Sequence, residues 1–169
     1  AIGLGLIFGI KLPLNFNSPF KTTNISDFWR RWHMTMTRFF TNYIYTGLAM
    51  SGMRRAMACR AGRVQKYALT AAVPAIVTFM VAGVWHGSGL TFAVYGLLHG
   101  CAIAGYLAWR EFSGIRLPAP IAWFCTMAVV VTGLVIFRSP NMSTAATVLA
   151  SMWNPLAHLG DADAHAFAG

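Results

Sequence analysis

Charged residues are scarce in this chain of 169 residues: they make up 10% of the sequence, whereas apolar residues make up 57%. Soluble domains carry roughly 25% charged residues. Aromatic residues account for 14%, and the mean hydropathy is +0.56. This composition excludes disordered, collagen-like and coiled-coil classes, and it predicts that the solvent of the folded chain is a lipid bilayer.

Acidic residues are rarest of all, since the sequence has only Asp27, Glu111, Asp161 and Asp163. Hydrolysis by paired carboxylates, or a divalent metal held by carboxylates, would need two of them to converge, and only Asp27 lies near other reactive residues. General acid–base chemistry therefore falls mainly to the five histidines.

The three cysteines, Cys59, Cys101 and Cys125, are an odd number without C-x-x-C spacing, which excludes a disulfide framework and a cysteine zinc motif. The sequence has neither H-E-x-x-H nor a close histidine pair, so no metal site is predicted. Ser88 follows His86 closely but lacks a G-x-S-x-G turn, and an acyl-serine intermediate stays open as a weaker alternative.

Four apolar runs are present, at residues 1–10, 67–85, 90–109 and 121–137. A transmembrane helix needs about 17–25 such residues. The last three runs therefore predict spans, and the first predicts the truncated end of another, since the chain begins with Ala1 inside an apolar run. The sequence predicts an all-α, polytopic membrane fragment with three to four spans.

Basic residues are distributed unevenly around these spans. Twelve of the thirteen lie in the segment 11–66 or the loop 110–120, and the loop 87–89 has none. By the positive-inside rule, 11–66 and 110–120 are predicted to be cytoplasmic and 87–89 to face the other side. The same charge would suit anionic lipid or an anionic donor, and nucleic acid is not a predicted partner.

The segment 11–66 is predicted to contain an amphipathic helix over about 27–42, interfacial or re-entrant, with N-caps offered by Thr23, Asn24 and Ser26. One face carries the aromatic residues Phe28, Trp29, Trp32, Phe39 and Phe40, and the opposite face carries Arg30, Arg31 and Arg38. His33 falls at the rim of the apolar stripe. A simple surface helix that anchors to anionic lipid is the alternative.

Three histidines lie close to the membrane segments. His86 ends a predicted span, and an ionisable residue at that depth indicates a functional site by default; the alternative is a hydrogen-bonded or solvated interfacial residue. For His99, in the middle of the next span, a structural hydrogen bond to another helix is expected. His158 and His165 belong to a polar tail, 154–169, and are expected to be solvated.

Three ordered blocks resemble the bacterial membrane-bound O-acyltransferases. They are Asn15-Phe16-x-x-Pro19 with Ser26-Asp27-Phe28-Trp29-Arg30-Arg31-Trp32-His33, then Gly83-Val84-Trp85-His86-Gly87 with Tyr95-Gly96-x-x-His99-Gly100, and finally Val135-Ile136-Phe137-Arg138. The resemblance covers residues 1–153 and implies the C-terminal part of such an enzyme. The alginate O-acetyltransferase subgroup is most similar, and teichoic acid D-alanyltransferase is a near relative.

The resemblance implies that His86 is catalytic and that His33 is the second active-site residue, within a tunnel across the membrane. Substrate or donor contacts are implied for Trp29, Trp32, Arg30, Arg31, Trp85 and His99. It also implies a multi-pass protein of the inner (cytoplasmic) membrane with no resident cofactor. Its co-substrate would be acyl-CoA (acetyl-CoA) or an acyl-carrier thioester. Its expected partners are a periplasmic or extracellular acetyltransferase and exopolysaccharide machinery.

Acyl transfer from a thioester to a hydroxyl suits these residues, because a neutral imidazole, with an unperturbed pKa of about 6.5, can take the hydroxyl proton near neutral pH. Two other functions stay open. One is a transport or export component in which His86 and His99 relay protons, and the other is a non-catalytic membrane anchor that docks a partner.

Overall fold

The computed structural model describes residues 2–154, with Ile2 and Trp153 described by their backbone alone, and this part contains helices and no strands. The helices are α1 (Ile2–Ile7), α2 (Ile25–Arg31), α3 (34–58), α4 (Arg63–His86), α5 (Leu90–Phe112), α6 (Ala119–Arg138) and α7 (Met142–Trp153). The all-α prediction is confirmed. The predicted polar tail, including His158 and His165, lies outside the described residues after Asn154.

Helices α4, α5 and α6 are each long and apolar enough to cross a membrane, with 24, 23 and 20 residues. At 1.5 Å per residue they extend about 30–36 Å, which matches a hydrocarbon core of about 30 Å. They coincide with the predicted spans 67–85, 90–109 and 121–137. The run 1–10 instead forms only the six-residue helix α1, which ends before Gly9, where φ is +70°.

Helices α4 and α5 pack backbone against backbone because glycines line their contact. A Cβ atom at Gly96 would overlap the carbonyl oxygen of Phe79, and one at Gly100 would lie 2.7 Å from the Cα atom of Ile76. Gly83 on α4 likewise faces the carbonyl oxygen of Phe92 on α5. Small residues at such contacts are typical of membrane helix pairs, since they let the two backbones approach closely.

The predicted continuous helix over 27–42 is wrong. Helix α2 begins after Asn24, whose Oδ1 accepts a hydrogen bond from the N–H of Asp27 at 2.8 Å, and it ends at Arg31. Trp32 is extended and His33 is left-handed, with φ 48° and ψ 51°, before α3 begins at Met34. The helical projection that placed His33 beside Phe40 therefore does not apply.

A neighbouring segment causes the break between α2 and α3. The carbonyl oxygen of Asn15 accepts a hydrogen bond from the N–H of Met34 at 2.9 Å, and its Oδ1 accepts from the N–H of Thr35 at 3.0 Å. The N–H of Asn17 donates to the carbonyl oxygen of Arg31 at 2.9 Å. A helix end leaves backbone groups without hydrogen-bond partners, and these contacts supply the partners. They therefore compensate for the helical hydrogen bonds that the break removes. The apolar periodicity of residues 27–42 gives no indication of this break.

Helix α3 is one long helix that changes pitch. It comprises Met34–Phe40, a π-helical turn over Thr41–Tyr45, and Thr46–Ala58. Near its end it packs on the first part of α4, where a Cβ atom at Gly52 would overlap the carbonyl oxygen of Leu69. It is not among the three candidate spans of the described chain.

The segment 25–40 extends along the bundle from one end to the other. Ile25 lines a cavity with Arg110, at the end of α5, whereas the Phe40 ring lies 6.2 Å from that of Trp85, at the opposite end of the bundle. Between them, the ring of Trp29 packs 4.9 Å from that of Phe79. The aromatic face of this segment therefore packs into the bundle, and the cytoplasmic side predicted for 11–66 stays a prediction.

Candidate active site

His33 and His86 lie on different elements of the fold. His86 is the last residue of α4, and His33 occupies the break between α2 and α3. Helix α3, which begins directly after His33, brings the Phe40 ring to 6.2 Å from the ring of Trp85, the neighbour of His86. Both side chains are half-buried, so a group from outside the fold can reach them. The structure thus places the two predicted catalytic residues toward the same end of the bundle.

The His33 ring presents a polar atom without a partner. Its Nδ1 is buried and makes no hydrogen bond within the part of the chain that the structure describes. The ring lies 5.9 Å from that of Phe16, which belongs to the segment that fixes the helix break. A buried polar atom left unpaired costs about 1–3 kcal/mol, so Nδ1 favours a substrate group that can hydrogen-bond to it.

The His86 ring is held by aromatic residues. Trp85 lies 4.9 Å away and Phe137, near the end of α6, lies edge-on at 5.0 Å, measured between ring centroids. The next residue is Gly87, where a Cβ atom would lie 2.5 Å from the Cε2 atom of Phe92. Glycine at this position therefore lets the turn after His86 close against α5.

His99 lies in the core, apart from this pair. It is 1% exposed, and its Nδ1 accepts a hydrogen bond from the Trp29 indole N–H at 3.3 Å, which is the interhelical bond expected for it. On its other edge, Nε2 lies against Gly133 of α6. His99 and Trp29 thus join α2, α5 and α6, and their contact with a substrate stays a prediction.

Two aromatic rings separate His86 from His99. Phe137 lies 5.0 Å from His86 and 5.0 Å from Tyr95, and Tyr95 lies 4.6 Å from His99. A phenylalanine ring carries no exchangeable proton, so this row of side chains is poorly suited to passing protons between the histidines. The arrangement weighs against the proton-relay alternative.

The other residues predicted to contact the substrate or donor differ in where they lie relative to the histidines. Trp32 stacks on Phe28 at 5.6 Å with an interplanar angle of 16°, inside the helix break. Trp85 is 64% exposed beside His86. Arg31 is paired with Asp27 at 3.0 Å, and Arg30 is exposed. Trp85 adjoins His86 and Trp32 directly precedes His33, and the contacts of the two arginines with a substrate or donor stay predictions.

Comparisons with known proteins identify the family of this chain. Residues 1–139 match the model of MBOAT, the membrane-bound O-acyltransferase family. The chain belongs to the membrane-bound O-acyltransferase family.

Curated relatives carry related names. The chain is 40% identical over 156 residues to "Peptidoglycan O-acetyltransferase" of Helicobacter pylori, covering 90% of this chain and 27% of that protein. It is 32% identical to "Probable alginate O-acetylase AlgI" of Pseudomonas aeruginosa, covering 91% and 27%. It is 30% identical to "Teichoic acid D-alanyltransferase" of Bacillus subtilis, covering 78% and 32%. The chain therefore spans about a third or less of the relatives' length.

The other end of this O-acyltransferase segment is basic. A cavity of about 710 Å³ is lined by Arg63, Lys66, Arg110 and Glu111 together with Tyr45 and Tyr67. The Arg63 guanidinium donates a hydrogen bond to Oε1 of Glu111 at 3.1 Å. This bond joins the start of α4 to the end of α5. A phenol is protonated at neutral pH, and burial raises the pKa of the Tyr45 phenol further, so this group can donate a hydrogen bond.

A second cavity, of about 850 Å³, adjoins the same end between α5 and α6, and Arg110 and Arg116 line it. The lining residues of both cavities are far along α4 and α5 from His86. Cationic side chains in a concave site attract anionic ligands. Among the described residues, no group of three His, Cys, Asp or Glu side chains could hold a metal ion.

Two residues in the site were quoted in the sequence blocks but given no role. Phe137 supports the His86 ring, and Asn15 holds the chain at His33. Phe137 belongs to the block Val135–Arg138, and Asn15 belongs to the block Asn15-Phe16-x-x-Pro19, so the sequence blocks pointed to both residues. Neither role follows from the residue type, because both depend on contacts between distant segments.

Proposed function

We propose that this chain carries the two-histidine site of a membrane-embedded O-acyltransferase. Such an enzyme would move an acetyl group from a thioester donor to a hydroxyl group of a cell-surface or exported polysaccharide. The observation that carries the proposal is that His33 and His86 lie toward the same end of the bundle, where Phe40 of α3 meets Trp85, within a family of O-acyltransferases. Both residues are the ones that the sequence blocks single out.

The proposed step needs one base and one donor to the oxyanion. Neutral His86 accepts the proton of the acceptor hydroxyl while the hydroxyl oxygen attacks the thioester carbonyl carbon. The resulting tetrahedral oxyanion accepts a hydrogen bond from His33 or from a nearby N–H group. Collapse breaks the carbon–sulfur bond, and the thiolate leaves and takes up the proton from His86. The products are an ester and a free thiol.

The basic end of the bundle supports an anionic donor. Acetyl-CoA and acyl-carrier thioesters both carry phosphate, and Arg63, Lys66 and Arg110 line the cavity at the end of α4 opposite His86. Positive-inside orientation makes this end cytoplasmic. We therefore propose a multi-pass protein of the cytoplasmic membrane, with the donor on the basic side and the acceptor on the His86 side.

The names of the relatives support a polysaccharide acceptor. A peptidoglycan and an alginate O-acetyltransferase align with 90% and 91% of this chain, whereas the D-alanyltransferase aligns with 78%. An acetylated polysaccharide such as alginate or peptidoglycan is therefore proposed, with a periplasmic or extracellular acetyltransferase and polysaccharide machinery as partners. Transfer of a D-alanyl group to teichoic acid is the second candidate, supported by the D-alanyltransferase relatives.

A test of this function uses the full-length protein in its own host, from which the native copy is deleted. Ester-linked acetyl and D-alanyl groups on the isolated surface polysaccharides are quantified for the wild type, His86→Ala and His158→Ala. The proposal expects acetyl esters in the wild type and His158→Ala and their loss in His86→Ala, at equal protein level. Esters of D-alanine in their place would support the second candidate. Acetyl esters that persist in His86→Ala would favour a transport or anchoring role.

A further inference from the structure

The break that holds His33 depends on a side chain from another segment. Asn15 Oδ1 accepts two hydrogen bonds from Thr35, one from its N–H at 3.0 Å and one from its hydroxyl at 2.6 Å. Thr35 lies two residues after His33, in the first turn of α3. We propose that Asn15 is a positioning residue, which acts on acyl transfer by fixing His33 beside His86. This inference rests on the proposed function.

The conformation at His33 needs such support. A left-handed conformation, with φ 48° here, is uncommon for a residue other than glycine. The apolar periodicity of 27–42 favours one continuous helix, in which His33 would adopt right-handed values instead. Asn15 opposes that continuous helix, because it supplies acceptors to the N–H groups of Met34 and Thr35 that α2 would otherwise satisfy. Without it, His33 would swing away from His86.

Only part of this support comes from the Asn15 side chain. Its carbonyl oxygen accepts from Met34, and any residue could provide that bond. The two bonds at Oδ1 require a side-chain acceptor of this length. Asp at position 15 would keep both acceptor functions, whereas Leu would have a similar size and neither.

The chain supplies a matched control two residues away. Asn17 has the same side chain and belongs to the same segment, but its hydrogen bond to Arg31 is made by its backbone N–H. Its side chain is exposed and makes no hydrogen bond within the described part of the chain. Asn17→Leu therefore changes the same chemical group without removing an acceptor from α3.

The activity experiment uses the full-length protein in isolated membranes and measures the initial rate of acetyl transfer at saturating donor. Asn15→Leu is expected to lower this rate on the order of 10²-fold, since misplacing a catalytic group by about 1 Å has that effect. The KM for the donor is expected to stay unchanged. Asn15→Asp should recover most of the rate, and Asn17→Leu should match the wild type.

A second variant tests the hydrogen bonds without depending on how Asn15→Leu folds. Thr35→Val removes only the hydroxyl donor, on an exposed residue, and should lower the rate less than Asn15→Leu. Residues that act through a shared contact have non-additive effects. The double variant Asn15→Leu/Thr35→Val should therefore be no slower than Asn15→Leu alone.

A geometric readout is independent of catalysis. In the full-length protein without native cysteines, His33→Cys and His86→Cys are cross-linked with a short bifunctional thiol reagent. Asn15→Leu is expected to reduce the cross-linking, and Asn17→Leu is not. Equal cross-linking, or a wild-type rate for Asn15→Leu at equal abundance, would overturn the inference about Asn15 alone. Failure of the wild type to transfer acetyl would instead overturn the proposed function.

Discussion

At the scale of single residues, the three histidines of the bundle differ in how far they are exposed. His33 and His86 are half-buried, and His33 offers an unpaired Nδ1, whereas His99 is enclosed and bonded to Trp29. The residue types alone could not separate them. The contacts do so, because they leave Nδ1 of His33 without a partner among the described residues and join His99 to Trp29 in the core.

The first prediction concerns His33 itself. His33→Gln keeps a hydrogen-bonding side chain and should retain more acetyl transfer than His33→Leu, which should lose about 10²–10³-fold if His33 acts as an oxyanion donor. Transfer rate and protein level are measured for both, with the exposed Arg38→Gln as control. If His33→Leu is as active as the wild type at equal abundance, His33 is only a structural residue of the helix break.

At the scale of helices, the length of the apolar runs is enough to predict the three spans. The three spans need only about 20 apolar residues each, and α4, α5 and α6 coincide with the predicted runs. The helix over 27–42 was predicted as continuous because its amphipathic pattern is unbroken. The break comes from hydrogen bonds with Asn15 and Asn17, which are distant in sequence, and a local pattern contains no information about them.

The contact between α5 and α6 gives a second prediction. The Nε2 edge of His99 lies against Gly133, so a Cβ atom there would overlap the imidazole. Gly133→Ala should destabilise the fold by about 1–3 kcal/mol, as overpacking of a core typically does. The measurement is the thermal unfolding midpoint of the detergent-solubilised full-length protein.

Gly105→Ala on α5 is the matched control for that prediction, because a Cβ atom at Gly105 would meet nothing within 4 Å. It should leave the unfolding midpoint unchanged. A midpoint for Gly133→Ala equal to that of Gly105→Ala would mean that His99 does not fill the space beside α6.

At the scale of the whole molecule, the helices connect a basic end with a histidine end. Arg63 pairs with Glu111 at the first, and His33 and His86 both lie toward the second. Charge counting alone predicts which helix ends are cytoplasmic. It could not predict that 25–40 extends between the two ends, because that path depends on how Trp29 packs against Phe79 and His99.

The third prediction is the orientation of these ends. In a full-length protein without native cysteines, Arg60→Cys and Arg116→Cys should resist an impermeant thiol reagent in intact cells, because basic loops stay cytoplasmic. Ser88→Cys, in the loop after His86, is the matched position that should react. Reaction of both Arg60→Cys and Arg116→Cys without lysis would reverse the orientation and the proposed side of the donor.

The most direct test of the two-histidine site follows the chemical step in the purified full-length protein. Wild type and His86→Ala are supplied with a radiolabelled acetyl thioester and an acceptor polysaccharide, and free thiol and acetyl ester are measured together. Loss of a general base typically lowers the rate about 10²–10⁴-fold, so both products should fall by that factor in His86→Ala while the protein remains folded. Near-normal formation of thiol and ester by a folded His86→Ala protein would contradict the assignment of His86 as the catalytic base.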